Sequence, residues 1–131
     1  MIIENNNRYF KIMEILIQNI LGQAKLFLES ADEFYPFGCN MDQNKELHPM
    51  SVYYDNDYPK SIDVINALEK TIKIGLENKK IKVAAIGIDI NIEYVLKKTP
   101  AIEIRIYTLT VTDKKIYKYF KMGNEYLFEK I

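Results

Sequence analysis

The sequence predicts an α+β domain in which a five-stranded antiparallel sheet packs against helices, in the order helix, two strands, helix, three strands. Two observations lead to this class. Apolar side chains recur every three or four residues in two segments, as in amphipathic helices, whereas apolar and polar side chains alternate in the last third of the chain, as in half-buried strands. With 131 residues and no repeat or linker, the chain is expected to form a single domain over residues 1–131.

The first predicted helix covers residues 8–31 and ends before Pro36. Its apolar stripe is wide, so we expect the helix to be covered on more than one side, either within the domain or in a homodimer. Gly22 costs about 1 kcal/mol relative to alanine inside a helix, and its presence favours a close crossing with another element. The stripe contains Tyr9, Ile12, Met13, Leu16, Ile17, Ile20, Leu21, Ala24, Phe27, Leu28 and Ala31.

A β-hairpin is predicted next, with strands at residues 34–41 and 47–54 around a polar turn. Pro36 and Pro49 cannot donate a backbone hydrogen bond, so these strands are expected at the edge of the sheet, or the prolines at strand ends. The turn that follows the hairpin leads to Ser61, which is a candidate N-cap for the second helix. That helix is the clearest element, because one stripe of Ile62, Ile65, Leu68, Ile72 and Leu76 spans four turns.

Three strands are predicted after the second helix, two of them long and alternating and separated by a turn at residues 97–100. The isoleucines at even positions of both long strands are expected to face the second helix, with Asp89, Glu103 and Arg105 on the opposite, wetter face. The third strand is "IYKYFKM", and the final "GNEYLFEKI" is expected to form a short strand or a helical turn.

The charge balance disfavours two classes of partner. Eighteen basic residues offset eighteen acidic ones, so no electrostatic attraction for nucleic acid or an anionic membrane is expected. Tyrosines interleaved with lysines in the last strands resemble a single-strand nucleic-acid platform, but cross-strand packing explains them equally well. No signal peptide or membrane span is apparent and the chain has one cysteine, so we expect a cytoplasmic protein.

The only cysteine and the only histidine lie in the predicted hairpin, nine residues apart. If the strands pair, Cys39 and His48 could approach as a nucleophile and its base, although a buried, inert thiol is the expectation we favour. An enzyme would otherwise rely on His48 with Asp42, Asp55 or Asp89 as its acidic partner.

We expect no metal or other cofactor. A zinc site needs about four ligands, and Cys39 and His48 supply only two before an aspartate is added. Asp55 and Asp57 begin like a calcium loop, but the later positions of that loop hold proline, lysine and asparagine.

A tyrosine-rich and acid-rich segment at the end of the hairpin is the candidate binding surface. It contains Tyr53, Tyr54, Asp55, Asp57 and Tyr58. Exposed tyrosines beside a charged rim are typical of protein interfaces, whereas the alternative is that Tyr53 or Tyr54 covers the core.

The motif "DEFYPFG", the turn "DND" with its following proline and serine, and the strand "AAIGIDINI" resemble a family of small uncharacterised bacterial α+β proteins, over residues 32–106. The order of elements is also similar to that of Roadblock and profilin-like domains, which implies self-pairing and regulation of partners. The short C-terminal segment departs from that second resemblance.

These features favour a non-enzymatic protein-interaction module, of an immunity or regulatory type, that binds a protein partner or itself. Two alternatives stay open. One is a small hydrolase or transferase that uses His48 with a nearby acid, and the other is a purely structural homodimer.

Overall fold

The structure is a computed structural model that describes residues 2–52 and 58–131, with side chains from residue 8 onward. The predicted α+β class is confirmed. The first helix begins well before residue 8, and both hairpin strands are shorter than predicted. The elements are α1 (Ile2–Ala31), β1 (Phe37–Met41), β2 (Leu47–Met50), α2 (Ser61–Glu77), β3 (Val83–Tyr94), β4 (Lys97–Tyr107), β5 (Thr112–Met122) and β6 (Glu125–Lys130).

The sheet described has six antiparallel strands in the order β2-β1-β3-β4-β5-β6, so the prediction of five strands is wrong. The additional strand is β6, which forms from the C-terminal segment and pairs with β5 from Met122 opposite Glu125 to Tyr117 opposite Lys130. Gly123, at a φ of 64°, supports the two-residue turn between them. A Roadblock or profilin-like topology is not confirmed.

Helix α1 covers one face of the sheet. Its buried stripe, which includes Leu16 and Ile20, packs against Ala85 of β3 and the isoleucines of β4. Near its end, Leu28 packs against tyrosines of β5 and β6. The sheet therefore curls around α1. The opposite side of the helix is exposed, and within the described residues α1 is not covered on a second side.

Helix α2 covers the other face, where Leu68 and Ile72 pack against Ala84, Ile86 and Ile88 of β3. The central strands are thus buried on both faces. Ser61 begins the helix, but the N-cap position is Lys60, which makes no side-chain capping bond, so the predicted serine cap is wrong.

The isoleucines of β3 face α2 and those of β4 face α1. The prediction that both sets of isoleucines face the second helix is therefore wrong. Tyr94 pairs with Lys97, and this register places Ile88 of β3 opposite Glu103 of β4. Since directly opposed residues share a face, Glu103 lies on the α2 side and the β4 isoleucines lie on the α1 side. Asp89 accordingly faces α1, away from Glu103 and Arg105.

The turn between β3 and β4 is Val95–Leu96, and the predicted turn at residues 97–100 is instead part of β4. Both turn residues have positive φ, 51° and 61°. Two-residue hairpin turns of this kind usually contain asparagine and glycine, so the residue types at Val95 and Leu96 do not indicate a turn. Their side chains are 81% and 100% exposed.

The prolines of the hairpin lie where expected. Pro49 is in β2, the edge strand, and Pro36 is buried immediately before β1. Within the described residues, neither helix has a stretch that is both long and apolar enough to cross a bilayer.

Glycine marks close contact at a different place from the one predicted. A Cβ atom at Gly22 would meet no atom within 4 Å, so this helix position is not a crossing point. A Cβ atom at Gly38 would lie 2.7 Å from the Ala85 carbonyl oxygen. One close approach is therefore between β1 and β3.

Candidate functional site: an apolar cleft at the end of the sheet

A cleft of about 490 Å³ opens where β1 begins and β2 ends. The end of α1, the α1–β1 connection, the residues after β2 and the start of α2 together form its walls. The side chains that define it are Phe27, Phe34, Tyr35, Phe37, Val52 and Val64. Concave sites of this size with mostly apolar walls are typical of binding sites.

Three phenylalanine rings hold one wall of the cleft in place. The Phe37 ring makes edge-to-face contacts with Phe27, at 5.1 Å between ring centroids, and with Phe34, at 5.5 Å. Phe37 lies opposite Gly87 of β3, and a Cβ atom there would come within 3.1 Å of the ring. The glycine thus lets the ring lie close against the sheet, which fixes the wall.

Carboxylates surround the α1–β1 connection beside the cleft. Glu33 lines the cleft, and Asp32 before it adopts a φ of 62° at the end of α1. The Asp32 carboxylate accepts a hydrogen bond of 2.8 Å from the Tyr126 hydroxyl. That bond is the main reason why the pKa of Tyr126 is raised.

Asp89 of β3 joins the connection to the sheet. Its carboxylate accepts hydrogen bonds from the Tyr119 hydroxyl, at 2.7 Å, and from the backbone N–H of Phe34. Burial raises the pKa of Asp89, nearby Glu33 raises it further, and the two hydrogen bonds oppose this rise. The backbone bond positions Phe34, and with it one wall of the cleft.

The predicted binding residues are sequence neighbours of residues that line the cleft. Tyr53, Tyr54, Asp55 and Asp57 lie outside the described residues. Tyr58 is 86% exposed, and its neighbour Pro59 lines the cleft.

His48 and Asp42 are brought together, but at the opposite end of the hairpin. The His48 Nε2 atom lies 2.8 Å from Oδ2 of Asp42, whose other oxygen accepts backbone N–H bonds from Asn44 and Glu46. The bond from His48 is the largest of several contacts that lower the pKa of Asp42. The His48 side chain is 49% exposed, and the pair lines neither of the two cavities described here.

Cys39 and His48 do not form a dyad. His48 pairs with Asn40, so it lies on the face opposite to Cys39. Cys39 is fully buried in the α1 core, and burial raises the pKa of its thiol to about 12. The thiol is buried as expected, and a nucleophilic cysteine is not supported.

Among the described residues, Asp42, Glu46 and His48 form a group that could hold a metal ion, since one ligand atom from each lies within 4.8 Å of the others. This set differs from the zinc ligands considered from the sequence, because Glu46 replaces the buried Cys39. The three positions flank the β1–β2 turn, so a correct hairpin register would have revealed them. All three are at least partly exposed, and they supply fewer ligands than a structural zinc site needs.

A second cavity, of about 310 Å³, lies between α2 and the β4–β5 turn. Glu69 of α2 accepts a hydrogen bond from Tyr107 and lies 3.6 Å from Arg105. Arg105 also pairs with Glu103 at 2.7 Å. Because these groups pair with one another, the network fastens α2 to β4.

Two of the late tyrosines are buried on opposite sides of the sheet. Tyr107 and Tyr119 are buried, on the α2 and α1 sides of the sheet respectively. Tyr94 lies at the end of β3 with the Lys118 ammonium 4.8 Å from its ring centroid. Cross-strand packing is therefore the better account of this pattern.

Comparison with protein-family models, with curated proteins and with solved structures gives no significant match for this chain.

Proposed function

We propose that this chain is a non-enzymatic protein-interaction module that binds its partner at the apolar cleft and the neighbouring residues 53–58. One observation carries the proposal: the cleft of about 490 Å³ has fixed aromatic walls and an exposed tyrosine, Tyr35, at its rim. An immunity-type or regulatory protein acts in this way, by occupying a partner's surface without chemistry.

The walls of the cleft match what binding hot spots require. Protein interfaces concentrate affinity in a few aromatic or large apolar side chains that enter a preformed pocket. Burial of one such side chain contributes about 1.5–3 kcal/mol. The edge-to-face contacts of Phe37 already order its neighbours, so little rotamer freedom remains to be lost on binding.

Catalysis has weaker support. No cysteine or histidine is among the described residues that line the cleft. The Ser30 hydroxyl, which does line it, donates to backbone carbonyls within α1. The hydrolase alternative depends on the His48–Asp42 hydrogen bond, which lies about 13 Å along β1 from the cleft.

Affinity purification from the native host tests the proposal. We expect the wild-type protein to retain a specific partner and Ser51→Trp to lose it, because a tryptophan at this exposed position would fill the cleft. A second variant, Tyr54→Ala with Asp55→Lys, tests the adjacent segment.

Asn44→Trp is the matched control, since it adds the same side chain at the exposed β1–β2 turn. Retention of the same partner by Ser51→Trp, with an unchanged thermal unfolding midpoint, would contradict the proposed site.

A further inference from the structure

We infer that the cleft recognises a positively charged segment of a partner protein, which inserts one aromatic or large aliphatic side chain and places a neighbouring lysine or arginine against the acidic α1–β1 connection. This inference rests on the proposed function and specifies its partner.

The apolar half of this recognition follows from the shape of the cleft. Its walls are aromatic or aliphatic over most of their surface, and a volume of about 490 Å³ accommodates one large side chain with part of its backbone. The cleft is open towards the rim at Tyr35, which is 49% exposed.

The charged half follows from three carboxylates at the connection. Glu33 lines the cleft, Asp32 precedes it in the chain, and Asp89 of β3 lies near it. Among the described residues no lysine, arginine or histidine nitrogen comes within 4.0 Å of any of these three carboxylates. Asp32 and Asp89 accept bonds from tyrosine hydroxyls, which are neutral. None of the three carboxylates therefore has an ion-pair partner among the described residues.

The basic residues nearest in the chain do not offset this charge. Lys25 is already paired with Glu29 and Glu125. Lys60 precedes α2 on the other side of the cleft and makes no ion pair with the described carboxylates.

A flanking cation on the partner would complement this rim. Complementary charges at the edge of an apolar pocket fix orientation and accelerate association, and like charges there oppose binding. Glu33 is the residue that belongs to both halves, since it lines the cleft and lies next to Asp32. We therefore expect it to select for charge in the partner.

Selection from a random linear peptide library displayed on phage, with the full-length protein as bait, tests the inference. Enriched peptides should carry phenylalanine, tyrosine, tryptophan, leucine or methionine within two positions of a lysine or arginine. A synthetic copy of an enriched peptide should bind less tightly as the salt concentration rises, because the rim charges are exposed.

Variants then separate the two halves in fluorescence-anisotropy titrations of that peptide. Glu33→Lys is expected to weaken binding by about tenfold through like-charge repulsion. Glu77→Lys, the same change at an exposed acid at the end of α2, should leave binding unchanged. Ser51→Trp should abolish binding, and Ala31→Trp provides a second way to fill the cleft if the first variant does not fold.

The outcomes distinguish this inference from the function on which it rests. One outcome is that uncharged peptides are enriched, bind Glu33→Lys and wild type equally, and do not bind Ser51→Trp. This outcome would overturn the charge selectivity and leave the proposed binding module intact. Peptides that bind Ser51→Trp and Ala31→Trp as well as they bind wild type would overturn both the inference and the proposed function. Light scattering could instead show that the wild-type protein is a dimer and that Ser51→Trp is a monomer. This result would assign the cleft to a second copy of the chain and also overturn the inference.

Discussion

Asp42 and Asp89 show how position decides what a carboxylate does in this molecule. Asp42 lies in the β1–β2 turn, where hydrogen bonds from His48 and from two backbone N–H groups stabilise its charged form and lower its pKa. Asp89 lies against α1, where burial raises its pKa. The same residue type therefore makes stability depend on pH in opposite directions.

Replacement of Asp42 by asparagine tests this dependence. The folded pKa lies below the unfolded value of about 3.9, so the charge of Asp42 stabilises the fold above that pH and the effect is lost as pH falls through the folded pKa. We expect Asp42→Asn to unfold at lower urea concentration than wild type at pH 7, and the difference to shrink towards pH 3.

Two comparisons check the sign. Glu77→Gln removes an exposed carboxylate without an ion pair among the described residues, and should give little change at either pH. Asp89→Asn should show the opposite trend, with wild type losing stability relative to the variant as pH rises through the raised pKa. A difference for Asp42→Asn that grows towards pH 3 would contradict the account.

At the scale of elements, Gly22 and Gly38 differ in how closely other atoms approach them. Gly22 lies on the exposed face of α1 with open space around it, whereas Gly38 packs against the backbone of β3. Gly22→Ala is expected to raise the free energy of unfolding by up to about 1 kcal/mol, since alanine is the better helix former. Gly38→Ala should lower it by about 1–3 kcal/mol through overpacking.

Chemical denaturation of both variants beside wild type measures this contrast. The prediction from sequence placed the close crossing at Gly22, so stabilisation by Gly22→Ala would support the structure over that earlier interpretation. Destabilisation by Gly22→Ala, or tolerance of Gly38→Ala, would show that the arrangement of α1 or β1 described here is wrong.

Sequence patterns revealed most of the elements, because each helix and long strand has its own periodicity. The relative facing of β3 and β4 could not be obtained in this way. It depends on the register set by the turn, and Val95–Leu96 lacks the glycine or asparagine that identifies such turns. Pro100 instead suggested a turn at residues 97–100, within what is β4.

The candidate site was predictable only in part. The tyrosine-rich segment was identified from composition, and Pro59 beside it does line the cleft. The cleft itself is assembled from three separated parts of the chain, so no local pattern indicates it. Asp89 was weighed as an acid for His48, yet the structure places it against Phe34 and Tyr119 instead.

At the scale of the whole molecule, the two helices cover the two faces of a curled sheet. One end carries the β1–β2 turn with Asp42 and His48, and the β4–β5 turn. The other end carries the cleft and Glu33, which has no ion pair among the described residues. The central claim is that the second end is the one that binds a partner protein.

Site-specific photocrosslinking in the native host tests this claim most directly. Benzoylphenylalanine is placed at Tyr35, on the rim of the cleft, or at Leu109, which is 64% exposed at the opposite end. The account predicts a discrete crosslinked adduct from position 35 that Ser51→Trp suppresses, and none from position 109. Equal adducts from both positions, or an adduct at position 35 that persists in a folded Ser51→Trp protein, would contradict it.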